Sequence, residues 1–391
     1  MVAKIRSFFI TFVTLCIIFG VAAAVIAYGR GYRFSFSQKS LQTTGLLTVT
    51  SEPSGAQIFI NGKLKTATNA TVSLEPEWYT ITVSKEGFQA WEKKIRVQGE
   101  VVVRADALLL PTNPSLTAIT ASGVTSPSLS PDGSKLIYVI PNQKESTTTL
   151  PTTRPGIWIL DLVDKPLGLN RDARQIARGN FPNMTLTWSP DSKQILADNY
   201  LLDSENLNES LIPVTNIKLV QNEWNDIKAL REKEKLATLP SDLVAIATSS
   251  VKLVEFSPDE SKFYYEATRS ATIPTIINPP LIGANSTDEI RTIKPGNVYV
   301  YDIKEDRNYA LGTSQSILPM QWLPTSRHFI LVTKDKIEIM DFDGTNRRTA
   351  YAGPFWDAFA VPWTSGGKLI ILTNLNPSAS EVNNLYAVNL R

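Results

Sequence analysis

The sequence is poor in the residues that most often carry chemistry. Its 391 residues include one cysteine and one histidine. A lone Cys16 excludes an intramolecular disulfide, a zinc ribbon and a cysteine-ligated cluster. A lone His328 leaves almost no room for a histidine metal site or a Ser-His-Asp triad. Acids are missing from the N-terminus: Lys4, Arg6, Arg30, Arg33 and Lys39 all precede the first one, Glu52. The formal net charge of +2 originates there, and the remaining chain is slightly acidic with its signs mixed. A nucleic-acid binder needs a clustered basic face to neutralise phosphates, and no such cluster follows, so no nucleic-acid partner is expected. Gly (20) and Pro (24) show no fixed period, which excludes collagen, and 43% apolar residues exclude wholesale disorder. Phosphate loops, zinc signatures and dinucleotide fingerprints are lacking, so no metal or other cofactor is expected. The length suffices for two or three domains with sizeable cores.

What is present begins with an uncharged apolar run at residues 8–28. As a helix it covers roughly 31 Å, one hydrocarbon thickness. Lys4 and Arg6 precede it, Arg30 and Arg33 follow, and Tyr28, Tyr32, Phe34 and Phe36 are placed as interfacial aromatics. Ala22-Ala23-Ala24 offers the small residues of a cleaved signal peptide, but the apolar run is longer than a signal core and passes beyond them. An uncleaved single-pass anchor is therefore expected. Cys16 lies inside it, where a thiol behaves as a small hydrophobe. The flanking charges are nearly balanced, but a tail of residues 1–7 before a long folded chain fits a signal-anchor. The bulk is expected on the extracytoplasmic side of the cell membrane, after a juxtamembrane linker at residues 29–45.

From Gly45 the pattern turns to strands. Residues 46–50, 56–60, 72–74, 79–83, 91–97 and 101–110 read as β, and Asn61-Gly62 is a strong type I′ hairpin signal. Lys85-Glu86-Gly87-Phe88 reads as another turn. The expectation is a small antiparallel sandwich with one apolar face per sheet. Ser51, Pro53, Gly55, Ala56, Asn61-Gly62, Leu74, Tyr79, Gly87-Phe88 and Trp91 together resemble the PEGA domain in order and spacing, across residues 46–111. The family's usual glycine before the aromatic is here Trp78. The resemblance implies a non-catalytic envelope module, a spacer or adhesive unit.

Pro111-Thr112-Asn113-Pro114 is a stiff linker, and a repeat begins beyond it. Leu129-Ser130-Pro131-Asp132-Gly133-Ser134-Lys135 matches Trp188-Ser189-Pro190-Asp191-Ser192-Lys193 and Phe256-Ser257-Pro258-Asp259-Glu260-Ser261-Lys262. Trp322-Leu323-Pro324-Thr325-Ser326-Arg327-His328 and Trp363-Thr364-Ser365-Gly366-Gly367-Lys368 are degraded copies. An aromatic or Leu anchors one strand, Pro presets φ, and Asp/Gly complete the turn. A further strand ending in Asp or Asn recurs at residues 157–162, 298–303, 337–342 and 385–390. Anchor spacings of 59, 68, 66 and 41 residues exceed a compact blade of about 40–45. The excess falls in insertions at 144–155, 268–296 and 222–239. The last reads as a helix with Trp224, Ile227 and Leu230 on one face, Lys228 facing Glu232, and Pro240 as its stop. These repeats resemble the TolB-like, WD-related β-propeller family across residues 115–391. The resemblance implies five or six blades and an all-β fold for the exported part. Residues 116–120 are expected to pair with 385–390 and close the ring.

The remaining candidates for chemistry are few. His328 sits at a strand start and reads as structural. Asp341-Phe342-Asp343-Gly344-Thr345-Asn346 has its Gly two places early for a calcium loop and no distal Glu, so Asp343-Gly344 reads as a type I′ turn. The Asp of each Ser-Pro-Asp turn recurs at one structural position, which fits turn formation better than a single catalytic centre. Trp224, Trp356 and Trp363 are candidates to line a propeller face. No catalytic, metal or cofactor residue is assigned, and the ligand-binding residues are left open. The expected function is non-enzymatic: a membrane-anchored envelope protein whose propeller binds a protein or an envelope polysaccharide. The alternative is a propeller-based glycoside hydrolase or lyase, since paired carboxylates need no local spacing.

Overall fold

The computed structural model describes residues 2–29, 32–35, 40–142, 154–164, 172–182, 184–375, 377 and 382–391. The tract at 144–155 lies almost wholly outside the described residues, as do Arg30 and Phe36 and the side chains of Lys4, Arg6, Arg33 and Phe34. The described chain is mostly β. It divides into two compact units, one of residues 1–109 with 277–288 and one of 110–276 with 289–391. Residues 277–288 thus group with the first unit, although their neighbours on both sides belong to the second.

The first unit opens with helix α1 (Val2–Gly29). Its apolar window Phe12–Gly29 is long enough to cross a membrane and is not buried within the protein. Strands β1 (Tyr32–Ser35) and β2 (Ser40–Thr43) then pair antiparallel, Tyr32 opposite Thr43. The sandwich follows: β3 (Gly45–Glu52), β4 (Gln57–Ile60), β5 (Lys63–Ala67), β6 (Ala70–Leu74), β7 (Trp78–Ser84), β8 (Trp91–Arg96) and β9 (Val102–Leu108). One sheet has the order β6-β3-β9 and the other β5-β4-β7-β8. Asn61 and Gly62 have φ of 50° and 75°, the type I′ geometry that their sequence predicts. Alternation places Leu47, Val49, Val103 and Ala105 of one sheet against Ile58, Ile81, Val83, Trp91 and Ile95 of the other.

One expectation for this unit fails. The sheets are not wholly antiparallel, because β9 runs parallel to β3, Leu46 opposite Val102. The chain leaves β8 at the end of the sandwich where β3 begins, crosses sheets there, and so must run alongside β3 in the same direction. Gly99 makes this crossing close. A side chain at that position would meet Thr43 Oγ1 at 2.1 Å, so only hydrogen fits.

Among the described residues the second unit holds five sheets of three or four strands and one two-stranded pair, Ala271–Thr272 with Thr292–Ile293. Sheet I is Thr125–Leu129, Lys135–Ile140, Gly156–Asp161 and Arg174–Arg178. Sheet II is Leu186–Trp188, Gln194–Ala197 and Tyr200–Asp203. Sheet III is Val251–Phe256, Lys262–Ala267, Asn297–Asp302 and Arg307–Thr313. Sheet IV is Met320–Trp322, His328–Val332, Ile337–Asp341 and Arg348–Tyr351. Sheet V runs Ala360–Pro362, Lys368–Thr373 and Asn384–Asn389, and takes Leu116–Ala118 as its outer strand. The pairing expected between the start and the end of this region is present, with Leu116 opposite Val388 and Ala118 opposite Tyr386.

The inner strands of these sheets are apolar on both faces, because each face meets a different neighbour. In sheet I, Leu136, Tyr138 and Ile140 pack with Ile370, Leu372 and Leu385 of sheet V. Ile137 and Val139, on the opposite face, pack with Trp188, Ile195 and Leu202 of sheet II. Tyr264 and Val300 of sheet III likewise pack with Trp322, Phe329 and Met340 of sheet IV. The other face of sheet III, with Phe263, Tyr265 and Tyr301, meets Leu239 and Leu243 of the helical insertion instead.

That insertion differs from its sequence reading in two ways. Helix α2 spans Ile217–Ala237, capped by Asn216, whose side chain accepts from the Leu219 amide at 3.2 Å. It ends three residues before Pro240, which introduces a second helix, α3 (Ser241–Ser249), rather than stopping the first. Lys228 and Glu232 do face each other at 4.0 Å. Of the three apolar residues expected on one face of the helix, Trp224 is buried, while Ile227 and Leu230 are exposed. The helix turns a polar edge inward because its contacts there are polar, as described next.

Candidate functional site

The repeated turns build the rim of the site. In each copy a backbone N–H at the turn start donates to a carbonyl five residues on: Ser130 to Lys135, Ser189 to Gln194, Ser257 to Lys262, Leu323 to His328 and Trp363 to Lys368. A left-handed residue closes every turn, namely Gly133, Ser192, Glu260, Ser326 and Gly366. This register corrects the fifth copy. Trp363 occupies the position of Ser130, not of the anchoring aromatic, where Pro362 stands instead.

The turn carboxylates are consumed locally. Asp132 accepts from Ser130 Oγ at 2.6 Å, Asp191 from Ser189 Oγ at 2.6 Å and Asp259 from Ser257 Oγ at 2.8 Å. Burial works against the charge of Asp259, but hydrogen bonds from Ser261 and Ser257 prevail and hold it at about 2. Asp132 is lowered by the same balance of burial against serine bonds. The left-handed serine of the next turn reaches back to the Asp amide twice, Ser192 to Asp132 at 3.3 Å and Ser326 to Asp259 at 3.0 Å. Sheets I–II and III–IV are therefore stitched turn to turn.

Between sheets II and III α2 takes over that role. Arg231 donates to the Pro190 carbonyl at 2.7 Å, and Lys235 pairs with Glu260 at 2.8 Å. The helix thus spans two turns, and beneath it lies a cavity of about 1120 Å³. Trp188, Trp224 and Phe256 supply aromatic wall, Lys228 and Arg231 cationic wall, and Asp132, Glu232 and Glu255 acidic wall. Glu255 is exposed at the wall of this cavity, yet the protein around it strips enough water to push its carboxyl above the ordinary range, against the opposing bond from Tyr264 and the charge of Lys228. Tyr264 donates to it at 2.6 Å. Sister positions on the first strands of sheets I, II and IV are Ser128, Thr187 and Gln321, so Glu255 is the ionisable exception among them. That contrast was available in the sequence once the repeats were aligned; the approach of α2 was not.

The residues singled out from sequence are scattered. Of Trp224, Trp356 and Trp363, only Trp224 lines the cavity; Trp356 is exposed, and Trp363 Nε1 donates to Asp164 at 2.8 Å. Trp188, not singled out, lines the cavity and donates to the Ser128 carbonyl of sheet I at 3.2 Å. Trp322 makes the equivalent bond to the Glu255 carbonyl of sheet III. His328 is buried opposite Asp341, with Nδ1 3.0 Å from Thr325 Oγ1 and Nε2 3.5 Å from Asp341. Lys135 opposite Asp161 and Lys262 opposite Asp302 occupy the same register, so His328 replaces a structural lysine.

The Asp341–Asn346 turn is not type I′. Gly344 alone of Asp343-Gly344 is left-handed, and its N–H donates to the Asp341 carbonyl at 2.9 Å, so it closes a turn centred on Phe342-Asp343. Asp343 accepts from Thr345 and Asp341 from Asn346. Among the described residues no group of three or more His, Cys, Asp or Glu side chains is placed to hold a metal.

Comparison with known proteins gives one family match. Residues 44–113 match the model described as the PEGA domain. No curated protein matches the sequence. Among solved structures, a protein described as TolB from Agrobacterium tumefaciens is similar over 66% of this chain and 76% of its own, at 16% identity and a TM-score of 0.22. TolB from Acinetobacter baumannii is similar over 80% of this chain, which spans only 59% of that protein, at 14% identity and a TM-score of 0.19. TM-scores this low do not establish a common fold, and the architecture rests on the strand pairings themselves.

Proposed function

We propose that this chain is a membrane-anchored protein of the cell envelope that binds a protein or an envelope polymer without chemistry. In this reading residues 8–28 are a signal-anchor, 29–45 a juxtamembrane linker, 46–111 a PEGA sandwich and most of 115–391 a five-bladed β-propeller. The anchor leaves the bulk of the chain on the extracytoplasmic side. Shared cores between sheets V and I, I and II, and III and IV, and a strand from residues 116–118 joining the last sheet, support the ring.

The observation that carries the binding role is the cavity beneath α2. It combines three aromatic rings with charged groups, a lining suited to an extended chain of peptide or sugar. Most of its charges already serve structural partners, which leaves recognition rather than turnover as its task. A photo-cross-linking residue at Asn225, on the cavity side of α2, tests this in the native envelope. One specific adduct, lost on Arg231→Glu, is expected; absence of any adduct overturns the reading.

A second reading, a glycan-cleaving enzyme, has one observation in its favour. Glu255, raised by burial, and Asp132, lowered by its serines, line one cavity, and divergent carboxylates are the raw material of acid–base catalysis. Glycan turnover by the purified protein, abolished by Glu255→Gln with the fold intact, would establish it in place of the first.

A further inference from the structure

The first unit has an end whose composition its own fold does not explain. Strands β3 and β9 start there, β6 and β8 finish there, and the loops 75–77 and 97–101 join the two sheets there. Leu46 and Val102 lie side by side on the outer face of one sheet, and Trp78 lies on the outer face of the other; all three are exposed. Residues 277–288 come to the same end. The Arg96 amide donates to Ser286 Oγ at 2.9 Å, and the Gly283 amide donates to Gln98 Oε1 at 2.7 Å. A side chain at Gly283 would meet Val101 Cγ1 at 2.4 Å, so the loop is held tightly at its glycine. Yet the two residues before it, Leu281 and Ile282, stand out in solvent, Ile282 at 69%. A loop fixed in place with its apolar pair outward is built to present that pair.

The chain itself says what lies beside this end. Helix α1 ends at Gly29, and β1 begins three residues later. Tyr32 pairs with Thr43, so β2 brings the chain back to the level at which it left the helix. Thr43 then packs against Gly99, in the loop at this same end. Three residues of chain and one ladder spacing keep that loop within on the order of 15 Å of the helix end. The opposite end, with the Lys85–Phe88 turn, lies a strand of eight residues further off, about 25 Å.

We propose that this end of the sandwich rests in the surface of the membrane that α1 crosses, with Leu281, Ile282, Leu46, Val102 and Trp78 as its immersed rim. The proposal rests on the anchor reading above. Trp78 carries Lys94 over its ring at 5.3 Å, a ring-and-cation pair suited to the headgroup level. The charged residues at this end are of both signs, Lys63, Lys94 and Arg96 with Glu75, Glu77 and Glu100 among them. The attraction is therefore apolar, and it does not require anionic lipid.

The test uses the full chain with Cys16→Ala, in nanodiscs of phosphatidylcholine containing a nitroxide-labelled lipid. An environment-sensitive fluorophore is placed at Ile282→Cys, at Val102→Cys as a second probe of the rim, and at Glu86→Cys as the distant control. Emission at the two rim sites is expected to shift to the blue and to be quenched several-fold more than at Glu86. Protein retained in the disc with rim labels as water-exposed as Glu86 overturns the rim and leaves the anchor standing. Protein that fails to enter discs overturns the anchor, and the rim with it. Shielding that persists in detergent and disappears on dilution would assign the surface to a second copy instead of lipid.

Discussion

The two units bury apolar surface in opposite ways. In the sandwich each strand has one inner and one outer face, as β9 shows by alternating exposed Val102 and Arg104 with buried Val103 and Ala105. In sheet I, Leu136 through Ile140 are buried without a break, because alternate residues serve sheets V and II. The sandwich therefore keeps its core to itself, whereas a sheet of the second unit completes its core only with its neighbours. Damage should stay local in the first case and spread in the second.

The largest test of that contrast is a cavity at a shared face. Phe329→Ala, at the junction of sheets III and IV, should cost about 3–5 kcal/mol and loosen amide protection in both sheets. Ile81→Ala in the sandwich should cost about 2–5 kcal/mol, with protection lost only within the first unit. Hydrogen exchange separates the outcomes; loss confined to sheet IV after Phe329→Ala would break the comparison.

Turn carboxylates offer a smaller and pH-dependent test. Asp259 is held below its ordinary value, so the stability it contributes is present above about pH 4 and is lost as pH falls towards 2. Its side chain is about half exposed, 47%, so solvent screening reduces the contribution to on the order of 1 kcal/mol. Asp259→Asn should lose that amount at neutral pH and flatten the acid limb of the denaturation midpoint.

His328→Gln should cost about 1 kcal/mol, since a buried partner of Thr325 and Asp341 is altered, and should leave ligand capture unchanged. Trp188→Phe removes the indole bond to sheet I and part of the ring packed in the core shared by sheets I and II, and should cost about 1–2 kcal/mol, read as a shift in denaturant midpoint. The smallest effect is expected from Glu255→Gln. A carboxyl raised by burial makes stability fall as pH rises through its titration. Glu255 is exposed, so solvent screens the penalty, and the amide should gain only slightly in denaturant midpoint at neutral pH and remove that slope.

Much of this architecture could be read from residues next to one another in the chain. The Asn61-Gly62 turn, the Ser-Pro-Asp hairpins and the α1 span depend on φ preferences and apolar runs, which are local properties. So does the structural role of His328, once its repeat position is known. The pairing of residues 116–118 with 386–388 was also legible, because a repeat architecture must do something with its two ends. The misreadings share a different cause. The parallel course of β9 follows from where the chain crosses between sheets. The inward polar edge of α2 follows from the Pro190 carbonyl and Glu260 that receive it. Neither partner is near in sequence.

The sequence by itself determined the strand and turn grammar, the apolar span and the poverty in catalytic side chains, because each is written in composition or in spacing below ten residues. Only the tertiary structure decided that Glu255 faces a cavity roofed by α2, that Trp363 takes a turn position, and that residues 277–288 belong with the sandwich. Those outcomes depend on which surfaces meet after the chain has turned back on itself. A hydrogen bond such as Gly283 to Gln98, 185 residues apart, leaves no periodicity behind to be read.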